Sequence, residues 1–432
     1  MKICFLIQQY NNGGGTEMAL SSVANGLVKR GYDIMILSIG KGKSPHFHTS
    51  EKIKLRELDM GNDGRKSRIK ELKTIFQVRK AMLEVLKIEK PKVIVAVDIV
   101  LYHYVDYLCK RINAYGIGWE HYCLESRKGA LISYSRDLSV KNGAYTVVIS
   151  DRDLLAYKNR YPKSRSIVRI YDPVFMEEEP TVNVDNKRVI AAGRLTEQKG
   201  FDLLIEAWSK IYDRVMDWEM YIYGEGEDRE KLQGMIDSYG LDNVFLAGYS
   251  ENLGKEMDKA SIFVLSSRYE GFGLVLAEAM AKGIPAISFD CPSGPSEIIS
   301  HDKNGFLVPP MDVNRLGERI LKLTGSRQLR RLFSENARQN LYKFNIESVI
   351  SEWEKLLYSI GGEIWIRKRY LKCSGLHPVQ AHITCRLDYY PQASDRAPWQ
   401  RHKRNKFPLY KHNRTFVRGG AWSRGCYNLL YV

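Results

Sequence analysis

Short apolar runs alternate with helix-length segments along this chain, and the alternation starts afresh half-way. In the first half the runs at 2–8, 33–39, 92–97, 115–120 and 145–149 read as buried strands. In the second half the run opening at Arg188 and those at 219–223, 243–247, 261–265 and 285–289 do the same. Strands separated by helices imply parallel sheets covered on both faces, so the fold class is α/β with two doubly wound domains. With 432 residues, 44% of them hydrophobic, the chain can bury the cores that this requires. The expected organisation is a first domain at 1–172, a second at 173–345 and a closing helix at 346–360, followed by a basic, unstructured tail at 361–432. Prolines and a charge run, Ile170-Tyr171-Asp172-Pro173-Val174 then Glu177-Glu178-Glu179-Pro180, mark the linker.

Net charge changes sign at that linker. Residues 1–172 carry 30 Lys and Arg against 17 Asp and Glu, residues 173–360 carry 22 against 30, and 361–432 carry 14 against 3, giving +16 in all. The basic first domain suits an anionic surface or an anionic lipid-linked substrate; the other reading is an ordinary solvated surface. Within it, 66–90 is a helix with Leu72, Ile75, Phe76, Met82, Leu83 and Leu86 on one side and lysines around the rest, read as a domain helix rather than a membrane-lying one. Seven scattered cysteines without a C-x-x-C pair point to neither a disulfide framework nor a zinc site. The apolar run near Met1 stops at Gln8-Gln9, which suits a first strand better than a secretory segment, and a cytoplasmic location is expected.

The chemistry concentrates after the run at 262–265, in Tyr269-Glu270-Gly271-Phe272-Gly273-Leu274-Val275 and the helix that follows. A helix entered through Gly-Phe-Gly presents free N–H groups and a partial positive charge, with no side chain in the way, which is a place for a phosphate. Glu270, before that helix, and Glu278, inside it, could hold hydroxyl groups on either side. The loop Gly13-Gly14-Gly15-Thr16-Glu17 follows the first strand, where α/β proteins bind ligands, and Thr16 is a candidate helix cap. After the strand at Arg188 come Arg194 and Lys199, a fork and a point charge suited to a diphosphate. His121 ends the strand at 115–120; alone it reads equally well as a structural histidine or as a ligand. The loop Asp290-Cys291-Pro292-Ser293-Gly294-Pro295-Ser296-Glu297 is a further candidate lining of the cleft. No G-x-G-x-x-G or P-loop motif occurs.

These residues resemble glycosyltransferase family 4, the retaining, sugar-nucleotide-dependent enzymes of GT-B fold, in which two Rossmann-like domains face each other across a cleft. The match lies in Gly13-Gly14-Gly15-Thr16-Glu17, Gly193-Arg194-Leu195 with Lys199-Gly200, Tyr223-Gly224-Glu225-Gly226 and Glu270 to Glu278, in the family's order over about residues 1–360. The resemblance implies that Arg194 and Lys199 bind the donor diphosphate with the amides around Gly273, Leu274 and Val275. It further implies that Glu278 holds the ribose, that Glu270 and His121 contact the transferred sugar, and that Gly14 and Gly15 face the donor phosphate or the acceptor. No metal or cofactor is expected. The implied activity is transfer of a hexose or N-acetylhexosamine, from a UDP-linked donor, to a lipid-diphosphate-linked glycan of lipopolysaccharide O-antigen or capsule at the inner membrane face. Two other readings stand beside it: a GT-B-type UDP-sugar epimerase, and a non-catalytic nucleic-acid-binding protein acting through the basic tail, although no nucleic-acid partner is expected.

Overall fold

The computed structural model describes residues 1–374 apart from 12, 43–44, 61–67, 127 and 177–181. The charge run at 177–180 and the basic tail beyond 374 therefore lie outside the described residues.

Two parallel sheets carry the architecture. The first contains β1 (Lys2–Ile7), β2 (Asp33–Ser38), β3 (Lys54–Glu57), β4 (Val93–Val97), β5 (Tyr115–Trp119), β6 (Tyr145–Val148) and β7 (Ile167–Arg169), in the order β3-β2-β1-β4-β5-β6-β7. The second contains β8 (Arg188–Ala192), β9 (Glu219–Tyr223), β10 (Val244–Gly248), β11 (Ile262–Leu265), β12 (Ala286–Phe289) and β13 (Gly305–Val308), in the order β10-β9-β8-β11-β12-β13. Every ladder is parallel. The inner strands read as unbroken apolar runs because helices cover both of their faces. In each sheet the strand order reverses beside the first strand, between β1 and β4 and again between β8 and β11. Ligands of open α/β sheets bind beyond the strand ends at such reversals. The two glycine-rich segments singled out in the sequence, after β1 and after β11, both stand there.

Three strands were not anticipated. β3 is a polar edge strand, Lys-Leu-Arg-Glu, β7 has three residues, and β13 is a short edge strand. The helix anticipated at 66–90 is Arg68–Glu89; it buries Val78, Met82 and Leu86, whereas Phe76, placed on its apolar side, is exposed.

The closing helix runs Ile346–Ser374, beyond the expected end at 360, and returns across the first sheet. Trp353 packs with its ring centroid 5.0 Å from Trp119 and 6.4 Å from Phe5. Gly26 is there for close approach, since a Cβ would fall 2.5 Å from Ile350. Around this seam Arg30 meets Glu347 at 2.6 Å, and the Tyr145 and Ser359 hydroxyls are 2.9 Å apart. Residues from both sheets and this helix contribute to one buried core, and Met1–Lys368 form one unit.

Candidate functional site

The second-domain half of the site is built by loops that glycine alone permits. Gly193, at the end of β8, has φ +156° and Gly224, at the end of β9, has φ +139°. A Cβ on Gly224 would lie 1.9 Å from the Gly193 carbonyl oxygen, and one on Gly226 would lie 2.2 Å from that of Leu195. The Gly-Glu-Gly sequence is thus explained by its backbone lying directly on the Gly193-Arg194-Leu195 turn.

That turn is in turn fixed to the segment after β11. Arg268 grips Asp202 through two bonds of 2.8 and 2.7 Å and donates to the Glu197 carbonyl at 2.7 Å. Burial raises the Asp202 carboxyl, but the Arg268 guanidinium outweighs it and holds the group below its usual range. Gln198 donates to the Tyr269 carbonyl, and Ser266 to that of Lys199.

Between these clamped loops Lys199 Nζ donates to Glu270 Oε1 at 2.6 Å, and the Ser267 hydroxyl donates to the same oxygen at 2.6 Å. Both partners are largely shielded, with side chains 18% and 8% exposed. The pairing engages one carboxylate oxygen and one of three ammonium hydrogens, so Glu270 Oε2 and two Lys199 donors stay available to a ligand. Arg194 is exposed and makes no hydrogen bond or ion pair among the described residues.

The helix after this loop spans Leu274–Ala281, with Gly273 as its N-cap at φ +90°. Its first internal bonds begin at Leu276 and Ala277, which donate to the Gly273 carbonyl at 2.9 and 3.2 Å. The Leu274 and Val275 amides precede them and have no protein acceptor among the described residues. Glu278 lies one turn on, partly buried, and its side chain has no ion pair or hydrogen bond among the described residues. Burial with no nearby cation pushes its carboxyl up to about 7.

The first-domain half faces this helix end. Gly14 is the N-cap of the helix Gly15–Lys29, and no side chain caps it; Thr16, the anticipated cap, lies inside the helix. A Cβ on Gly15 would stand 3.3 Å from Leu274 Cδ1, so the N-terminal ends of the two helices meet. The positive ends of two helices from different domains therefore bound one space.

His121 reaches the same region from the end of β5. A Cβ on Gly271 would fall 2.0 Å from the His121 carbonyl oxygen, which puts the histidine against the Glu270-Gly271-Phe272 loop. Its position rests on a buried network. Glu120, fully buried, accepts from Arg136 Nε at 2.7 Å and from the Tyr157 hydroxyl at 2.7 Å. Arg136 also donates to the Leu124 carbonyl at 3.1 Å and the Cys123 carbonyl at 3.4 Å, closing the 120–124 loop around itself. The Trp119 ring packs on the imidazole with centroids 4.5 Å apart.

The Asp290–Glu297 segment joins the two domains beside the Glu270 loop. Glu297 Oε1 accepts from the Asp151 and Arg152 amides, at 2.8 and 3.3 Å, at the N-terminus of the helix Asp151–Arg160. Arg152 returns bonds to the Cys291 carbonyl at 3.2 Å and Asp290 Oδ2 at 3.0 Å. The Ser150 and Ser293 hydroxyls are 2.7 Å apart, and Ser293 donates to the Gly271 carbonyl at 2.9 Å. The segment thereby holds the Glu270 loop from behind.

The fold thus brings Lys199 to Glu270, Gly15 to Leu274 beside the Gly273 cap, and His121 to the Glu270 loop, with Gly14 and Val275 adjoining these in sequence, exposed Arg194 on the neighbouring turn and Glu278 one turn into the helix. Sequence reading missed Ser267, Glu120 and Arg136. The first is a plain Ser-Ser step. The others act across 16 or more residues, where no local pattern reports them. Among the described residues, no group of three His, Cys, Asp or Glu side chains could hold a metal ion, and no helix is long and apolar enough to cross a membrane.

Residues 175–340 match the family described as Glycosyl transferases group 1. The chain is 28% identical over 359 residues to an uncharacterised glycosyltransferase of Haemophilus influenzae, covering 82% of this chain and 99% of that protein. It is 27% identical over 374 residues to the amylovoran biosynthesis glycosyltransferase AmsD of Erwinia amylovora, with the same two coverages. Among solved structures, a Staphylococcus aureus TarM mutant crystallised with UDP and alpha-GlcNAc-glycerol superposes with a TM-score of 0.71, at 18% identity, over 82% of this chain and 99% of that one. The last likeness shows that the two facing parallel-sheet domains form a GT-B fold.

Proposed function

We propose that this chain is a group 1 glycosyl transferase that carries out retaining transfer of a hexose or N-acetylhexosamine from a UDP-linked donor to a lipid-diphosphate-linked glycan in lipopolysaccharide O-antigen or capsule assembly. The observation that carries this reading is the Lys199–Glu270–Ser267 cluster set beneath two meeting helix N-termini. Its cationic and N–H groups suit a diphosphate, and its one unengaged carboxylate oxygen suits a sugar hydroxyl. The UDP in the TarM complex and the polysaccharide named for the Erwinia relative support the donor and product classes.

In this reading, charge builds on the departing diphosphate as the anomeric carbon–oxygen bond breaks. Arg194, Lys199 and the Gly273, Leu274 and Val275 amides are aimed there before reaction, so the transition state gains more than the bound donor does. Gly14 and Gly15 leave the opposite helix end open to the phosphate or the acceptor. Glu278 accepts from the ribose hydroxyls. Glu270 Oε2 binds the transferred sugar, with Oε1 held by Lys199 and Ser267 so that the carboxylate does not turn. His121 donates to the sugar from the other domain. The acceptor hydroxyl attacks on the face that the diphosphate leaves, its proton passing to a departing phosphate oxygen, which retains configuration without a protein nucleophile.

The basic first domain holds the lipid-linked acceptor at the cytoplasmic face of the membrane, and the acidic second domain holds the donor. The test is a panel of radiolabelled UDP-sugars with lipid-linked acceptors extracted from bacterial membranes. Label transferred to lipid from one of them, with the α-configuration of the donor kept in the product, supports the reading. A folded protein that transfers from none of the panel refutes it.

A further inference from the structure

The connector leaving β7 ends its course along the first domain at Asp172, one residue before Pro173. Asp172 Oδ2 lies 3.4 Å from His121 Nδ1, and each side chain is 3% exposed. The outer atoms of the pair, Asp172 Oδ1 and His121 Nε2, are buried with no hydrogen-bond partner among the described residues. A buried polar atom left unmatched costs about 1–3 kcal/mol, so an orphan at both ends of one pair, beside a ligand cleft, is unusual unless a ligand completes it.

Geometry limits what the imidazole can do. With a carboxylate at Nδ1, that nitrogen carries a hydrogen. If the ring is neutral, Nε2 then holds a lone pair and cannot donate. Only the imidazolium gives an N–H at both nitrogens. The acidic groups that act on the ring are Asp172 on the connector, Asp98 at the end of β4 and Glu120 next in sequence. Glu120 is already matched by Arg136, which leaves Asp172, the one in contact, as the main counter-ion, with Asp98 behind it. Burial acts to discharge the ring, yet these carboxylates prevail and hold its pKa above the ordinary histidine value.

We propose that Asp172 is a positioning residue for His121: it anchors Nδ1–H and keeps the ring charged, so that Nε2–H is presented as a donor to an oxygen of the bound donor. The proposal rests on the glycosyl-transfer reading of the cleft. Its sign with pH follows. The imidazolium is present below the raised pKa and lost as pH rises through it, so Asp172 governs the alkaline limb of the activity profile.

The test follows the His121 imidazole by NMR in the full chain, assigned with His121→Gln, in parallel with pH profiles of UDP-hexose consumption. In the wild type His121 should titrate above about 6.5, and Asp172→Asn should lower its pKa by about one unit, a tenfold loss of imidazolium at a given alkaline pH. The alkaline limb should move down with it, Asp172→Glu should restore both, and Asp172→Asn should change nothing further in the His121→Gln background. Asp172→Ser replaces Asp172→Asn if the latter does not fold. An unmoved His121 titration, or a moved titration with an unmoved limb, overturns the proposal. Absence of consumption of every UDP-hexose and UDP-N-acetylhexosamine of the panel by the wild type would instead refute the glycosyl-transfer reading, and the titration would still decide the His121–Asp172 pairing.

Discussion

Arg194 offers the cleanest separation of binding from stability in this protein. Its side chain is exposed and takes part in no hydrogen bond or ion pair among the described residues. Removing it should therefore leave folding within about 0.5 kcal/mol of the wild type, as for other unengaged surface positions. In the proposed complex the same guanidinium makes charge-assisted bonds to the donor diphosphate, each worth about 1.5–3 kcal/mol. Since 1.4 kcal/mol is a factor of ten, Arg194→Ala should weaken UDP binding by about 10- to 150-fold if one such bond is lost. Lys199→Ala behaves differently, because it also leaves Glu270, 6% exposed, without its cation. Isothermal titration calorimetry with UDP, alongside thermal denaturation of the same samples, measures both quantities. An Arg194→Ala protein that binds UDP within twofold of the wild type would refute the assignment of Arg194, and a large loss of stability would refute the reading of its surroundings.

Further outcomes are expected at Arg136, Glu120 and Glu278. Arg136→Met strands the fully buried Glu120 and should destabilise the protein by about 3–5 kcal/mol, with much of the loss recovered in Glu120→Gln/Arg136→Met; urea denaturation of the single and double variants checks this. Glu120's carboxyl is already pushed up, with burial the largest cause, so the Arg136→Met deficit should grow as pH rises above the ordinary carboxylate range, where the unfolded chain ionises Glu120 and the folded variant keeps it protonated. Glu278, with its carboxyl raised to about 7, ionises across neutrality, so UDP-hexose affinity should increase between pH 6 and 8 and this increase should flatten in Glu278→Gln; calorimetry at the two pH values decides it. By the same linkage Glu278 favours the folded state below its unfolded pKa, and that contribution is lost as pH rises through about 7.

What was readable in the sequence was whatever is local. The Gly-Phe-Gly entry to the helix at Leu274 announces itself because a left-handed Gly273 and uncapped amides need no partner elsewhere in the chain. The turn at Gly193 was visible as a motif, but its reason was not: Gly224 and Gly226 are required by contact with a strand end some thirty residues away. The edge strands β3 and β7 escaped notice because a polar Lys-Leu-Arg-Glu and a three-residue stretch carry too little apolar pattern to register. The bracing role of the Asp290–Glu297 loop is not legible in the sequence for a related reason. Its prolines and serines fit a ligand loop as well as a brace, and only the tertiary structure puts Glu297 on the amides of Asp151 and Arg152. His121 could not be judged alone; Asp172, Glu120 and Arg136 give it a defined orientation, and all three belong to other turns of the chain or to its buried side.

The cluster of Glu270 with Lys199 and Ser267 is the centre of the account, and Glu270→Ala addresses it most directly. Transfer of radiolabelled sugar from the preferred UDP-donor to a lipid-linked acceptor should be abolished in this variant, while UDP affinity falls only modestly because Arg194, Lys199 and the helix amides remain. Transfer by a folded Glu270→Ala protein at the wild-type rate would contradict it.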